Sequence, residues 1–525
     1  SFRGPQHWSY LSGEWAENEE GLIKPPAVAA ADRLAFYVGQ MYSEVEAEFE
    51  FRWNTNHCGA GFVVRAQDPS HYYLVHFPLC GQQYRAKHFW AAISKADGSG
   101  WLDILKLEMI QGVPSEMGIG KGLGVSPWHK ARVVVKGNEI RVWVDGRPGP
   151  VVYDDAYKSG YVGLESWGYS GPGGTFRNVK IRGQEVPPQP WNEANQPPQN
   201  WFNPYPKGGG QQAPSGMAGA RDGSLLLNIS GTLLRSTDRG RNWEPMEAEG
   251  WNGGRLVSTK EGRVLAFGRQ DKETTLSFSD DNGQTWSAPE KVVQAPFKPD
   301  IPNNPDRPMA LHPMQGFMEL QDGTLLAFQV ATDPSWKIGE SIYEWGGLHY
   351  TGWSTRSTDG GYTWSAAVPL DGPPAVGMCF DLVEFSSNIQ TRDGNVLCLS
   401  RPVYSPWMWE SWSENNGESW GPAMRGPFPG YACATPPHAT ASGALVVGSR
   451  MPGLAVHVSH DDGITWKHYR IDTVIWAMGA MYEVASDVLL WVYYGEYSPN
   501  PDARAQFIRV TPDGLEPASE MLPIE

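Results

Sequence analysis

Residues 236–243 read STDRGRNW, and the same pattern, Ser-x-Asp/Asn-x-Gly-x-x-Trp, returns four more times. The copies are SDDNGQTW at 279–286, STDGGYTW at 357–364, SENNGESW at 413–420 and SHDDGITW at 459–466. Successive tryptophans are 43, 78, 56 and 46 residues apart. A four-stranded propeller blade takes about 40–50 residues, so the pattern marks one recurring place in each blade. Its residue types describe a turn. Asp or Asn accepts hydrogen bonds from the backbone of its own loop, and Gly supplies a positive φ. Trp carries a large apolar surface between neighbouring sheets, with an N–H that takes a nearby acceptor. These duties are structural, so the boxes are read as scaffold.

A second element precedes each box: an apolar strand, a tight turn and another apolar strand. The turns are Asp222-Gly223, Glu261-Gly262, Asp322-Gly323, Asp393-Gly394 and Ser442-Gly443, leading into LLLN, VLAF, LLAF, VLCL and LVVG. A sixth copy, Asp487 followed by VLLWVYY, lacks both the Gly and a box. Six turns and five boxes predict a six-bladed β-propeller with an atypical last blade. The 78-residue step holds one strand-turn-strand unit, hence one blade with insertions.

Residues 1–184 read differently, as short alternating strands of a β-sandwich. The segments are 46–53 (EAEFEFRW), 61–65, 72–77, 131–136, 139–144, 160–165 and 175–181, with an Asp-Gly hairpin turn inside RVWVDGR. Residues 185–206 (EVPPQPWNEANQPPQNWFNPYP) have no periodic apolar pattern and read as a semi-rigid linker. The expected fold class is all-β: an N-terminal β-sandwich over 1–184, the linker, and the propeller over 207–525.

Composition agrees with a turn-rich β protein: 60 Gly, 43 Pro and 24 Trp. The net charge of −16 argues against nucleic acid as a partner. No apolar run approaches the ~18 residues of a membrane span. The chain begins at Ser1 without Met, which raises the expectation of a removed signal peptide and a secreted or periplasmic protein. The five cysteines include Cys58 and Cys80, placed so that a pairing within the first domain stays open. No zinc spacing occurs, and no cofactor is implied. A structural calcium stays open without a loop motif to support it. A monomer or small homo-oligomer is expected.

The turns also locate the functional edge. Counted outward from the axis, the tight turn joins the first and second strands of a blade, and the box joins the third and fourth. Both therefore lie on one edge, and the pocket is expected on the other. Polar residues assigned there are Arg269 with Asp271, Arg401, Arg450 and Tyr494 after second strands. His312, Asp381 with Glu384, and His438 fall at first-strand entries, and Tyr482 falls within blade 6. Arg269, Arg401 and Arg450 end the similar runs VLAFGR, VLCLSR and LVVGSR. Three guanidinium groups at one pocket suit a carboxylate, which Arg grips with a planar fork; the alternative is that each pairs with a nearby acid as a strut between blades.

The five boxes resemble the Asp-box, or BNR, repeat of the sialidase superfamily, and the ending of the first domain resembles concanavalin-like jelly rolls. The sialidase resemblance implies a six-bladed propeller in which three arginines hold a sugar carboxylate, a Tyr–Glu couple is the nucleophile and an Asp is the acid/base. Carried over by position, Arg401 and Arg450 are two of the arginines, Glu384 is the activating Glu and Tyr482 the nucleophile, or else a packed strand Tyr. Two family features are missing: residues 211–219 (QQAPSGMAG) contain no Arg, and the loop after LLLNISG has no acid/base Asp. Asp271, one blade later, is the candidate for that role. The resemblance implies an exo-acting glycoside hydrolase on an oligo- or polysaccharide, with acidic sugars as a substrate class. A uronate lyase using His312 as base, or a non-catalytic glycan-binding propeller, are the alternatives.

Overall fold

The structure is a computed structural model of the chain. It describes residues 7–27, 31–54, 58–79, 88–112, 125–168, 173–206, 208, 212–297, 310–332, 350–370, 380–381, 387–402, 407–429, 437–449, 453–473, 477–495 and 502–518. These residues form strands and turns, with no α-helix among them, and no described helix is long and apolar enough to cross a membrane.

The N-terminal region is a sandwich built around one long strand, Ala31–Trp53. Its first half pairs with Gly160–Gly168 in one sheet, and its second half pairs with His129–Lys136 and Gly174–Val186 in the other. Alternation explains the strand: Val45, Ala47, Phe49, Phe51 and Trp53 are buried, while Glu46, Glu48 and Glu50 face outward. Phe51 stacks on Phe77 with centroids 4.6 Å apart, in a core that also takes Phe49, Phe62 and Phe176. The Asp145-Gly146 hairpin has φ of 50° and 75°, as a two-residue turn with left-handed residues requires. Cys58 is buried opposite Leu79; Cys80 lies outside the described residues.

Six antiparallel sheets follow, each starting from an inner strand: Pro214–Gly219, Arg255–Ser258, Gln315–Glu319, Ser387–Gln390, His438–Ala439 and Ala477–Ala485. Each inner strand touches that of the next blade, and the sixth touches the first, closing the ring. The sequence reading of six blades holds. In the sixth tight turn Asp487 itself adopts φ 58°, taking the left-handed place that Gly fills elsewhere.

The boxes are a repeated hydrogen-bond device. In the third, Ser357 Oγ donates to Asp359 at 2.8 Å, Gly361 N donates to Ser357 Oγ at 2.9 Å, and Thr363 N donates to Asp359 at 3.0 Å. Trp364 Nε1 donates to Gly361 O at 2.7 Å. The fourth box departs at its end, where Trp420 Nε1 donates to Ser354 Oγ of the preceding blade at 2.7 Å. Each Trp enters the apolar cluster between its own blade and the one before: Trp243 between blades 6 and 1, Trp286 between 1 and 2, and so on to Trp466 between 4 and 5. The cluster between blades 5 and 6 has no box Trp. It receives Trp101 from the sandwich, 3% exposed, whose Nε1 donates to Gln506 at 3.0 Å.

The two regions are joined by more than chain continuity. The sandwich edge strand Leu102–Gln111 pairs antiparallel with Lys467–Asp472, the outer strand of blade 5, with His468 opposite Ile104 and Arg470 opposite Leu102. The intervening Pro-rich segment is strapped down. Trp191 packs on Phe36 at 5.0 Å, and Asn200 Nδ2 donates to Ser99 O at 2.7 Å. Phe202 exchanges two backbone hydrogen bonds, 3.0 and 2.8 Å long, with Ala505 of blade 6.

Candidate functional site

The inner strands of all six blades line one axial cavity of about 460 Å³. One end is set by Ser215, Arg255, Gly316 and Pro437; the other reaches the tight turns at Lys260, Gln321, Arg392 and Gly443. The cavity therefore extends to the box edge as well as toward the opposite one. Its depth follows from the short inner strands, whose side chains do not fill the centre of a six-sheet ring.

Arg255 is the residue that sequence reasoning missed. It opens the inner strand of blade 2, directly after Gly253 and Gly254 with φ of 78° and 121°. A Cβ at Gly254 would lie 3.0 Å from Phe267 O, so the chain turns tightly against its own second strand before delivering Arg255 to the cavity. The repeated runs VLAFGR, VLCLSR and LVVGSR mark arginines after second strands, whereas this one stands at the head of a first strand. Its guanidinium pKa is lowered, first by burial and then by Arg269. His312 is lowered by burial and then by Arg269 and Lys272, so its imidazole is held neutral. Among the described residues no carboxylate forms an ion pair with Arg255 or Arg269. Arg255 lines the axial cavity, whereas Arg269 lines a separate hollow with Asn252, Gly253 and Gln270.

On the cavity wall, Asn388 is 7% exposed; its Nδ2 donates to Gly316 O at 3.5 Å, and its Oδ1 has no partner among the described residues. His438 Nε2 lies 3.3 Å from Glu483 Oε2. Glu483 also accepts from Ala441 N at 2.9 Å and Asp487 N at 2.7 Å; these bonds outweigh its burial and hold its pKa below the usual value. The Tyr482 hydroxyl rests against Gly219 of blade 1, leaving no space there for a Cβ, with its ring 6.3 Å from His438. Tyr482 packs across the ring seam and also lines the cavity.

The other sequence-assigned residues are dispersed. Asp271 and Lys272, with φ of 51° and 67°, form the exposed tip of the hairpin between the second and third strands of blade 2. Arg269 is exposed beside that tip. Tyr494 is 1% exposed within the blade 6 sheet. The backbone register sets Asp381 directly opposite Arg401. Glu384 and Arg450 lie outside the described residues. Among the described residues, no three His, Cys, Asp or Glu side chains converge as a metal would require.

Two family models match the chain. Residues 256–471 match a BNR repeat-like domain. Residues 3–182 match a 3-keto-alpha-glucoside-1,2-lyase-like domain. The molecule is a six-bladed propeller carrying the BNR repeat-like domain, joined to a sandwich that matches the lyase-like model. The first match begins in the inner strand of blade 2 and ends in the outer strand of blade 5, leaving out blade 1 and the boxless blade 6. No curated protein matches the chain. Among solved structures, it is similar to a Hadza microbial sialidase at 13% identity, with 96% of each chain covered and a TM-score of 0.44. A leech intramolecular trans-sialidase is similar at 11% identity over 93% of this chain and 98% of that one, with a TM-score of 0.39. A Dyadobacter fermentans protein of unknown function is similar at 15% identity, covering 57% of this chain and 95% of its own, with a TM-score of 0.43.

Proposed function

We propose that this protein is a carbohydrate-active enzyme, an exo-acting glycoside hydrolase that holds a terminal acidic sugar in the axial cavity. The observation that carries the reading is Arg255, a guanidinium on the wall of a sugar-sized cavity and without an ion-pair partner among the described residues. A carboxylate in the cavity would meet that charge and gain charge-assisted hydrogen bonds. Six surrounding blades admit a chain end more readily than an internal segment, hence exo action. Tyr482, on the cavity wall, is assigned the nucleophile with Glu384 as its activating partner; Asp271, at an exposed hairpin tip outside the cavity lining, is not given the acid/base role.

The test is a comparison of chromogenic acidic and neutral glycosides, with ultraviolet absorbance recorded throughout. Release of an acidic sugar without new absorbance is expected. Arg255→Met should weaken acidic-sugar binding by about tenfold to a hundredfold, the scale of one to two charged hydrogen bonds, with little change for a neutral analogue. Equal binding by both proteins would remove Arg255 from the reading.

One observation favours a second reading. His312, kept from charging by burial and then by Arg269 and Lys272, is equipped to abstract the proton next to a uronate carboxylate. Elimination from a uronate polymer leaves a conjugated C=C, so rising absorbance with a polymeric uronate would replace hydrolysis by this chemistry.

A further inference from the structure

A second cavity, of about 370 Å³, lies at the junction of the two domains and is separate from the axial one. The sandwich contributes Asp32 and Tyr72, the Pro-rich strap Trp201, blade 5 Arg470 and Asp472, and blade 6 Arg504. Its charges are already balanced. Arg470 Nη2 donates to Asp32, and Arg504 Nη1 donates to both oxygens of Asp472 at 2.8 and 2.9 Å. Two matched ion pairs leave little drive to take up a charged ligand. What the walls retain is hydrogen-bonding capacity: Asp32 Oδ1 is buried without a hydrogen-bond partner among the described residues, and Arg470 Nη1, on an Arg side chain 3% exposed, meets only Glu165 Oε1, at 3.7 Å. Unmet capacity of that kind is costly in a dry wall. The Arg504 guanidinium stacks 4.0 Å over the Trp201 ring, fixing a flat apolar and cationic rim at the mouth.

We propose that this junction cleft binds a neutral sugar unit of a glycan. Vicinal hydroxyls donate and accept together, so one diol can address a carboxylate and a guanidinium at once, while the C–H face of a pyranose suits an aromatic rim. The volume falls within the range of small-molecule sites, about 300–1,000 Å³. The site exists only when sandwich, strap and propeller are assembled, because each supplies a wall. It is independent of any reaction in the axial cavity.

The experiment is calorimetric titration of the full chain with methyl glucoside, methyl galactoside and methyl mannoside at millimolar concentrations. Saturable binding of at least one is expected. Trp201→Ala, in the strap, and Arg504→Met should each weaken it about tenfold or more, while Arg255→Met leaves it unchanged. Thermal melts check that each variant is folded; should Arg504→Met unfold, the strap variant decides alone. Absence of binding by all three sugars, or binding that survives Trp201→Ala, overturns the proposal. So does binding that is lost with Arg255→Met, which would move it to the axial cavity.

Discussion

At the scale of single residues, the boxes show which atoms matter. Ser357 is 2% exposed and its hydroxyl is the acceptor for the buried Gly361 N–H. Ser357→Ala leaves that donor unpaired and should lower stability by about 1–3 kcal/mol in denaturant unfolding. Asp359→Asn should cost far less, because the fourth box already uses Asn415, which accepts from Ser413 at 2.9 Å and Ser419 N at 3.0 Å. Equal losses in the two variants would contradict this account of the turn. A buried histidine pair gives a pH dependence. His457 Nδ1 lies 2.8 Å from His468 Nδ1, and His457 Nε2 lies 2.7 Å from Ser449 Oγ. Burial lowers both pKa values, His468 to about 4. Above pH ~6.5 folded and unfolded states are both neutral and nothing is lost. As pH falls from there toward 4 the unfolded chain takes up protons that the folded chain refuses, so stability falls by up to about 1.4 kcal/mol per unit for each His. His468→Asn should flatten the unfolding midpoint between pH 6.5 and 4.5, and an unchanged slope would exclude the pair as its cause. The residue-level reading of the boxes, with Asp as backbone acceptor, Gly left-handed and Trp N–H satisfied, was legible in sequence because every bond in it spans at most four positions in four of the five copies.

At the scale of elements, Trp101 carries the argument. Five interblade clusters take a Trp from their own repeat, and the sixth takes one from another domain. Trp101→Ala opens a cavity in the core between blades 5 and 6 and should cost about 3–5 kcal/mol. The loss should appear in the propeller, as faster hydrogen exchange in Leu454–Ser459 and Val488–Gly495 rather than in sandwich strands far from it. Exchange confined to the sandwich would show that Trp101 serves only its own domain. Strand positions were readable from alternation: residues 46–53, 61–65, 72–77 and 175–181 all fall within strands of the structure. The origin of the sixth Trp was not, since a spacing rule detects a missing repeat but carries no information on what replaces it.

At the scale of the whole molecule, the sandwich, strap and propeller form one continuous hydrogen-bonded assembly. Removing residues 1–184 would unpair the outer strand of blade 5, withdraw Trp101 and leave Arg470 without Asp32 and Glu165. The isolated propeller should therefore unfold at a markedly lower temperature than the same region in the intact chain, or accumulate as aggregate through the exposed strand edge. A truncated protein with an unchanged melting temperature would return the sandwich to the status of a tethered module.

The all-β class, the six blades, the odd sixth and the chemistry of each turn could all be read along the chain. All of these rest on contacts between near neighbours, which a local pattern records completely. The sequence also named His438 and Tyr482, which the fold brings to the cavity wall, and His312, which burial, Arg269 and Lys272 keep from charging. It took the folded chain to show that Arg255 lines the cavity, that Asp381 stands opposite Arg401, and that Trp101 and Arg470 weld two domains together. Those relations join residues up to hundreds of positions apart. Which partners meet across such distances is set by ring closure and sheet pairing, and no spacing along the chain encodes it.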